Sequence, residues 1–148
     1  MNKIDINKKL IIDRIDIIQK SVERLKKMRK MSQGKFALED NFAIAEHNLR
    51  RALEAVFDIG SHILSRIPHV QVSAYKEIAQ KLGEYKIISK KFAENNLTEM
   101  AGYRNRLTHF YFDVTPLEMY KIVKKDLGDF DTFLNYIKVF LSHHSKRK

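Results

Sequence analysis

Only two prolines and five glycines interrupt a chain of 148 residues, and helical periodicity fills the long intervals between them. Proline and glycine are the residues that most readily end a helix, so their scarcity constrains the fold more than any other feature. In the first interval Ile4, Ile11, Ile15, Ile18, Val22, Leu25 and Met28 or Met31 follow three- and four-residue steps, the apolar stripe of an amphipathic helix. The run "MSQG" breaks this pattern at Ser32 to Gly34. A second long helix is expected from about Phe36 to Ile67, with a stripe through Leu38, Phe42, Ala45, Leu49, Ala52, Val56, Ile59 and Ile63. Gly60 lies inside it. A glycine there costs roughly 1 kcal/mol against alanine, which points to close packing between helices. Pro68 forces the chain out of helix.

Ser73 reads as the cap of a third helix, "AYKEIAQKLGEYKII", with a break near Gly83. Residues 88 to 95 form a short helical piece, and Asn95, Asn96 and Thr98 offer turn and cap chemistry. The next helix is expected to begin near Thr98 and to carry "EMAGYRNRLTHFY". "DVTPLE" is a start signal, with Thr115 as N-cap, Pro116 at the first helical position and Glu118 three residues after the cap. One last helix is expected from there to about His143. No alternating strand pattern competes. The expected fold is all-α, an up-and-down bundle of four long helices plus one or two short ones, forming a single domain over residues 1–148. The basic tail at about 143–148 is expected to be disordered.

Cysteine is absent, which excludes disulfides, thiolate zinc sites and a cysteine nucleophile, and fits a cytoplasmic protein. The N-terminal residues mix charges with apolar residues and do not resemble a signal peptide, and no segment approaches a membrane span. The formal net charge is +10, and residues 1 to 35 carry eleven Lys or Arg against four acids. Such a field favours polyanions, either nucleic acid or an acidic protein, although a solvated lysine-rich surface has the same composition.

The segment "RNRLTHFY" concentrates chemistry that the rest of the chain lacks. On a continued helix Arg104, Thr108 and Tyr111 share one stripe, and Asn105, His109 and Phe112 share the next. Asn105 and His109 would be an i, i+4 pair in which the amide orients the imidazole. Arg104 and His109 would lie about 140° apart round the helix, flanking a broad polar face that suits a groove between helices or chains. Arg106 would point elsewhere and add positive potential. Histidine can move a proton near neutral pH, arginine can fork onto a phosphate, and Tyr111 offers a phenol. Together they match attack by an RNA 2′-hydroxyl on its adjacent phosphate, which needs no metal or cofactor. On residue types alone, a surface pair or a satisfied buried histidine is the commoner outcome. Tyr103 and Arg106 are further candidates for RNA contact, since unpaired bases stack on aromatic rings.

"MAGYRNRLTHFY" resembles the motif of the HEPN superfamily in its version Arg, four residues, His, one residue, Tyr. More closely, the chain is similar to HepT-type toxins of HepT/MntA toxin–antitoxin pairs. "NLRRALEAVFDIGSHILSR" resembles the second helix of that family and "VTPLEMYKIVKKDLGDFDTFLNYI" its last, so the likeness runs from about residue 36 to 140. The resemblance implies a metal-independent endoribonuclease that works as a homodimer, with its cleft at the subunit interface. It implies Arg104 as the phosphate and transition-state group, His109 as the proton-transfer residue and Asn105 as its neighbour. Tyr111 matches the tyrosine to which an MntA-type nucleotidyltransferase antitoxin attaches AMP. A second reading is a non-catalytic helical subunit that binds nucleotide or substrate for a nucleotidyltransferase.

Elsewhere, Asp58 and His62 form an i, i+4 pair that reads as a structural hydrogen bond. His143 and His144 are adjacent and read as surface residues rather than metal ligands.

Overall fold

Asn7 opens the first helix. Its side-chain oxygen accepts the Leu10 backbone N–H at 3.1 Å, a side-chain cap for one of the donors that a helix start leaves unpaired. The computed structural model describes residues 4–109 and 114–144 of the chain. Helix α1 spans Lys8–Met28 and buries the expected stripe of Ile11, Ile15, Ile18, Val22, Leu25 and Met28. Ser32 caps a single turn, α2 (Gln33–Phe36), at the break expected from the sequence, and Phe36 is fully buried. Helix α3 follows at Glu39–Ser65.

α1 and α3 run antiparallel. Near the start of α1 and the end of α3, Arg14 Nε pairs with Asp58 at 2.9 Å and the Asn7 N–H donates to His62 Nε2 at 2.8 Å. The expected Asp58–His62 bond is therefore replaced. Each side chain finds a better-placed partner on the neighbouring segment. Burial, and then Arg66, hold the His62 pKa below its usual value, which suits an imidazole that must stay neutral to accept.

Helix α4 (Tyr75–Glu84) packs against α3 where Gly60 lets it. A Cβ on Gly60 would lie 2.8 Å from Ile78 Cγ2 and 3.0 Å from Leu82 Cδ1, so the mid-helix glycine does mark a close approach. Ser73 does not cap α4 as expected. Its N–H and hydroxyl both donate to Glu77 Oε2, at 3.2 and 3.1 Å, and Ala74 occupies the cap position. The chain leaves α4 through Lys86, whose φ of 60° takes the left-handed conformation of a helix end.

Ser89 caps α5 (Lys90–Phe92), which passes without a turn through a π-helical segment (Ala93–Leu97) into α6 (Thr98–Thr108). Turn chemistry was expected at Asn95, Asn96 and Thr98. Instead the Thr98 hydroxyl donates to Ala93 O at 2.7 Å and Asn96 donates to Asp129 at 2.9 Å, so these polar groups serve a continuous helical run.

Thr115 and Pro116 start α7 (Pro116–Lys125) as the sequence signal requires, with Thr115 Oγ1 accepting the Glu118 N–H at 3.2 Å. The single last helix expected from Pro116 to His143 is two helices. α7 ends at Lys125, and α8 (Gly128–His144) starts afresh. Asp126 adopts a flattened geometry (φ −110°, ψ 0°), and its N–H closes on Ile122 O at 2.8 Å. Leu127 is then fully buried at the corner. An uninterrupted apolar period masks a break made by one residue turning inward.

The described residues contain no strand, and the architecture is the all-α bundle expected. Ile4 N–H donates to His144 Nδ1 at 3.0 Å, and that imidazole stacks on Phe140, so His144 is a structural contact between the two ends of the chain rather than a free surface residue. The tail from residue 145 onward lies outside the described residues. Among the described residues, no helix is long and apolar enough to cross a membrane.

Candidate active site at the end of helix α6

Met100 and Ala101 anchor α6 in the core, and its last two turns carry Tyr103, Arg104, Asn105 and Arg106 at the half-buried margin. Arg104 and Arg106 lie about 200° apart round the helix, and the structure sends them to different neighbours. The Arg104 guanidinium carbon lies 3.9 Å from the centroid of the Tyr75 ring at the start of α4. Tyr75 in turn meets the buried Phe57 of α3 edge-on, at 5.5 Å and 79°. Arg104 Nε is enclosed and has no hydrogen-bond partner among the described residues.

Arg106 turns to α7. Its two terminal nitrogens bond the two oxygens of Glu118, Nη2 to Oε1 at 2.7 Å, and Tyr103 Oη donates to the same carboxylate at 3.3 Å. The Arg106 hydrogen bonds hold the Glu118 carboxyl below its ordinary pKa. Burial, followed by the Glu118 charge, raises the Tyr103 phenol. Both residues proposed for RNA contact thus have polar ends engaged with α7, and much of the Arg106 charge is compensated locally.

Helix α6 stops earlier than the sequence suggested. The Thr108 hydroxyl donates back to Arg104 O at 2.9 Å, a bond that competes with helix continuation. His109 then takes extended geometry (φ −105°, ψ 120°), while its N–H closes on Asn105 O at 3.2 Å. The link between Asn105 and His109 therefore runs through the Asn105 carbonyl, and the helical side-chain alignment assumed for the pair does not apply. The His109 side chain is exposed. Tyr111 lies outside the described residues, as do Phe110 and Phe112.

A groove of about 670 Å³ runs beside α6 on the Arg106 side. Glu94, Glu99, Asp126 and Asp129 line it together with Lys76 and Arg106, so acids outnumber bases there. Burial, reinforced by neighbouring carboxylates, raises the Glu99 and Asp126 pKa values. Among the described residues, no group of three or more His, Cys, Asp or Glu is placed to hold a metal ion. The sequence reading missed Tyr75 and Glu118 as the partners of the two arginines. Tyr75 stood among helix residues and carried no motif signal. Glu118 was read only as part of a capping box.

The family model for ribonuclease HepT-like proteins matches residues 18–137. A tRNA nuclease HepT from Aphanizomenon flos-aquae (strain 2012/KM1/D3) is 26% identical over 133 residues, covering 89% of this chain and 90% of that one. A crystal structure of a toxin–antitoxin with AMP-PNP includes a chain 26% identical to this one, with a TM-score of 0.73 over 88% of this chain and 98% of that one. A tri-AMPylated Shewanella oneidensis HEPN toxin, in complex with MNT antitoxin, shares the fold with a TM-score of 0.78 at 24% identity, over 88% of this chain and 97% of that one.

Proposed function

The chain belongs to the ribonuclease HepT-like family, and on that premise we propose that it is a metal-independent endoribonuclease toxin of a toxin–antitoxin pair. Its substrate is RNA, tRNA or mRNA, cut at a cleft shared by two copies of the chain. The observation that carries this reading is the end of α6, where Arg104 is half-buried against Tyr75 and His109 is exposed just past the last turn. A fixed cation and an accessible imidazole are the two groups that 2′-hydroxyl attack requires.

In the reaction, one His109 takes the proton of the 2′-hydroxyl as that oxygen bonds to phosphorus. The bond from phosphorus to the 5′-oxygen breaks, and the leaving oxygen receives a proton from His109 of the partner subunit. The products are a 2′,3′-cyclic phosphate and a 5′-hydroxyl. Arg104 steadies the charge that builds on the phosphoryl oxygens. Asn105 holds the His109 backbone through its carbonyl.

The cognate partner is an MntA-type nucleotidyltransferase that attaches AMP to Tyr111. Each adenylate adds bulk and negative charge where an anionic RNA must lie, so modification blocks the cleft by occlusion and repulsion. A toxin of the same fold, tri-AMPylated and in complex with its MNT antitoxin, supports modification by such a partner. Expression without the partner should arrest growth, and Arg104→Ala or His109→Ala should abolish the arrest. Harmless expression of the wild-type chain, with full partner binding, would instead favour a non-catalytic binding subunit.

A further inference from the structure

We propose that Tyr75 is a positioning residue for Arg104, fixing the plane of its guanidinium so that the terminal Nη1/Nη2 edge, and not Nε, receives the RNA phosphate. The inference rests on the reading of Arg104 as the phosphate group. Three observations lead to it. The guanidinium carbon stands 3.9 Å from the Tyr75 ring centroid, close enough for the ring to cover one face of the cation. Arg104 Nε is enclosed without a partner, so the side-on edge that would use Nε is closed to an incoming anion. The Tyr75 ring is itself held, edge-on against the fully buried Phe57.

The support extends into the backbone. Tyr75 is the first residue of α4, and Glu77 ties that helix start to the Ser73 N–H and hydroxyl. Gly60 lets α4 sit directly on α3, which also carries Phe57. An arginine on the surface samples many orientations, and each phosphate contact must then order it. Here the ordering is done before substrate arrives. A planar fork held by stacking offers two parallel N–H donors to two phosphoryl oxygens, the arrangement a point-charge ammonium cannot supply.

The test compares cleavage of total tRNA by purified full-length wild type, Tyr75→Phe, Tyr75→Leu and Arg104→Ala. Tyr75→Phe keeps the aromatic face and should cleave within about twofold of wild type, whereas Tyr75→Leu should lower kcat by roughly 10- to 100-fold with KM changed by less than about threefold. Wild-type kcat in Tyr75→Leu, a loss seen only in KM, or an equal loss in Tyr75→Phe would overturn the positioning role. Full activity of Arg104→Ala would overturn the site reading itself, which keeps the two failures apart. A measurement on unmutated protein guards against misfolding of the leucine variant. The Arg104 Nε–H should exchange with solvent at least about tenfold more slowly than that of an exposed arginine. Exchange at the exposed rate would also overturn the inference.

Discussion

Arg106 of α6 and Glu118 of α7 are joined by two hydrogen bonds, which tie the first turn of α7 to the helix that carries the candidate site. The Glu118 backbone N–H donates to the Thr115 cap, while its carboxylate reaches across to another helix. One residue thus serves both the start of α7 and its link to α6. Glu118→Gln should destabilise the fold by about 1 kcal/mol, the upper end for a partly exposed pair. Its folded pKa lies below the unfolded value, so the pair's contribution is present above the ordinary glutamate range and is lost as pH falls through the folded value. Urea unfolding of wild type and variant should therefore differ at neutral pH and converge in acid.

Gly60 gives a second stability prediction. Gly60→Val would drive methyl groups into Ile78 and Leu82, which line the α3–α4 contact. The expected loss is roughly 1–3 kcal/mol, typical of overpacking. Because Tyr75 sits at the start of α4, cleavage should fall as well, in a variant that still unfolds cooperatively.

His109 should behave differently. Its side chain is exposed and lies past the last turn of α6. His109→Ala should change stability by no more than about 0.5 kcal/mol, as surface substitutions do, while removing cleavage. Thermal unfolding followed beside activity checks both halves. Unfolding of this variant would make His109 a structural residue.

The helices were legible because their apolar stripes and caps are local signals. Thr115 caps α7 as its signal requires, and the Gly60 contact could be inferred from its cost, whereas Ser73, read as a cap, bonds Glu77 instead. What escaped the sequence depends on long-range partners. The α7–α8 corner hides inside an unbroken apolar period because Leu127 is buried at the turn. Asp58 and His62 have the spacing of a pair yet bond Arg14 and Asn7 instead. At the site, the motif spacing identified Arg104 and His109 as candidates, but helical arithmetic misplaced His109. It assumed a helix that in fact ends at Thr108, where the hydroxyl turns back to Arg104 O. The Tyr75 stack joins residues from two helices, and no local pattern encodes it.

Substitution of Tyr111 should separate catalysis from control. Tyr111→Phe keeps the ring and loses the oxygen that would carry AMP. It should retain most cleavage and should gain no adenylate mass on incubation with the nucleotidyltransferase and ATP. Peptide mass spectrometry checks this. An AMP increment on the Phe variant equal to that on wild type would place the modification elsewhere.

The central claim is that Arg104 and His109 cut RNA without a metal. Purified wild-type chain with unmodified Tyr111 should cleave tRNA in the presence of excess chelator, leaving 2′,3′-cyclic phosphate ends. Arg104→Ala and His109→Ala, folded to the same extent, should each lose at least about 100-fold in rate, the scale of a lost general base or oxyanion-stabilising group. Cleavage that stops with chelator, or that persists in both variants, would contradict the account.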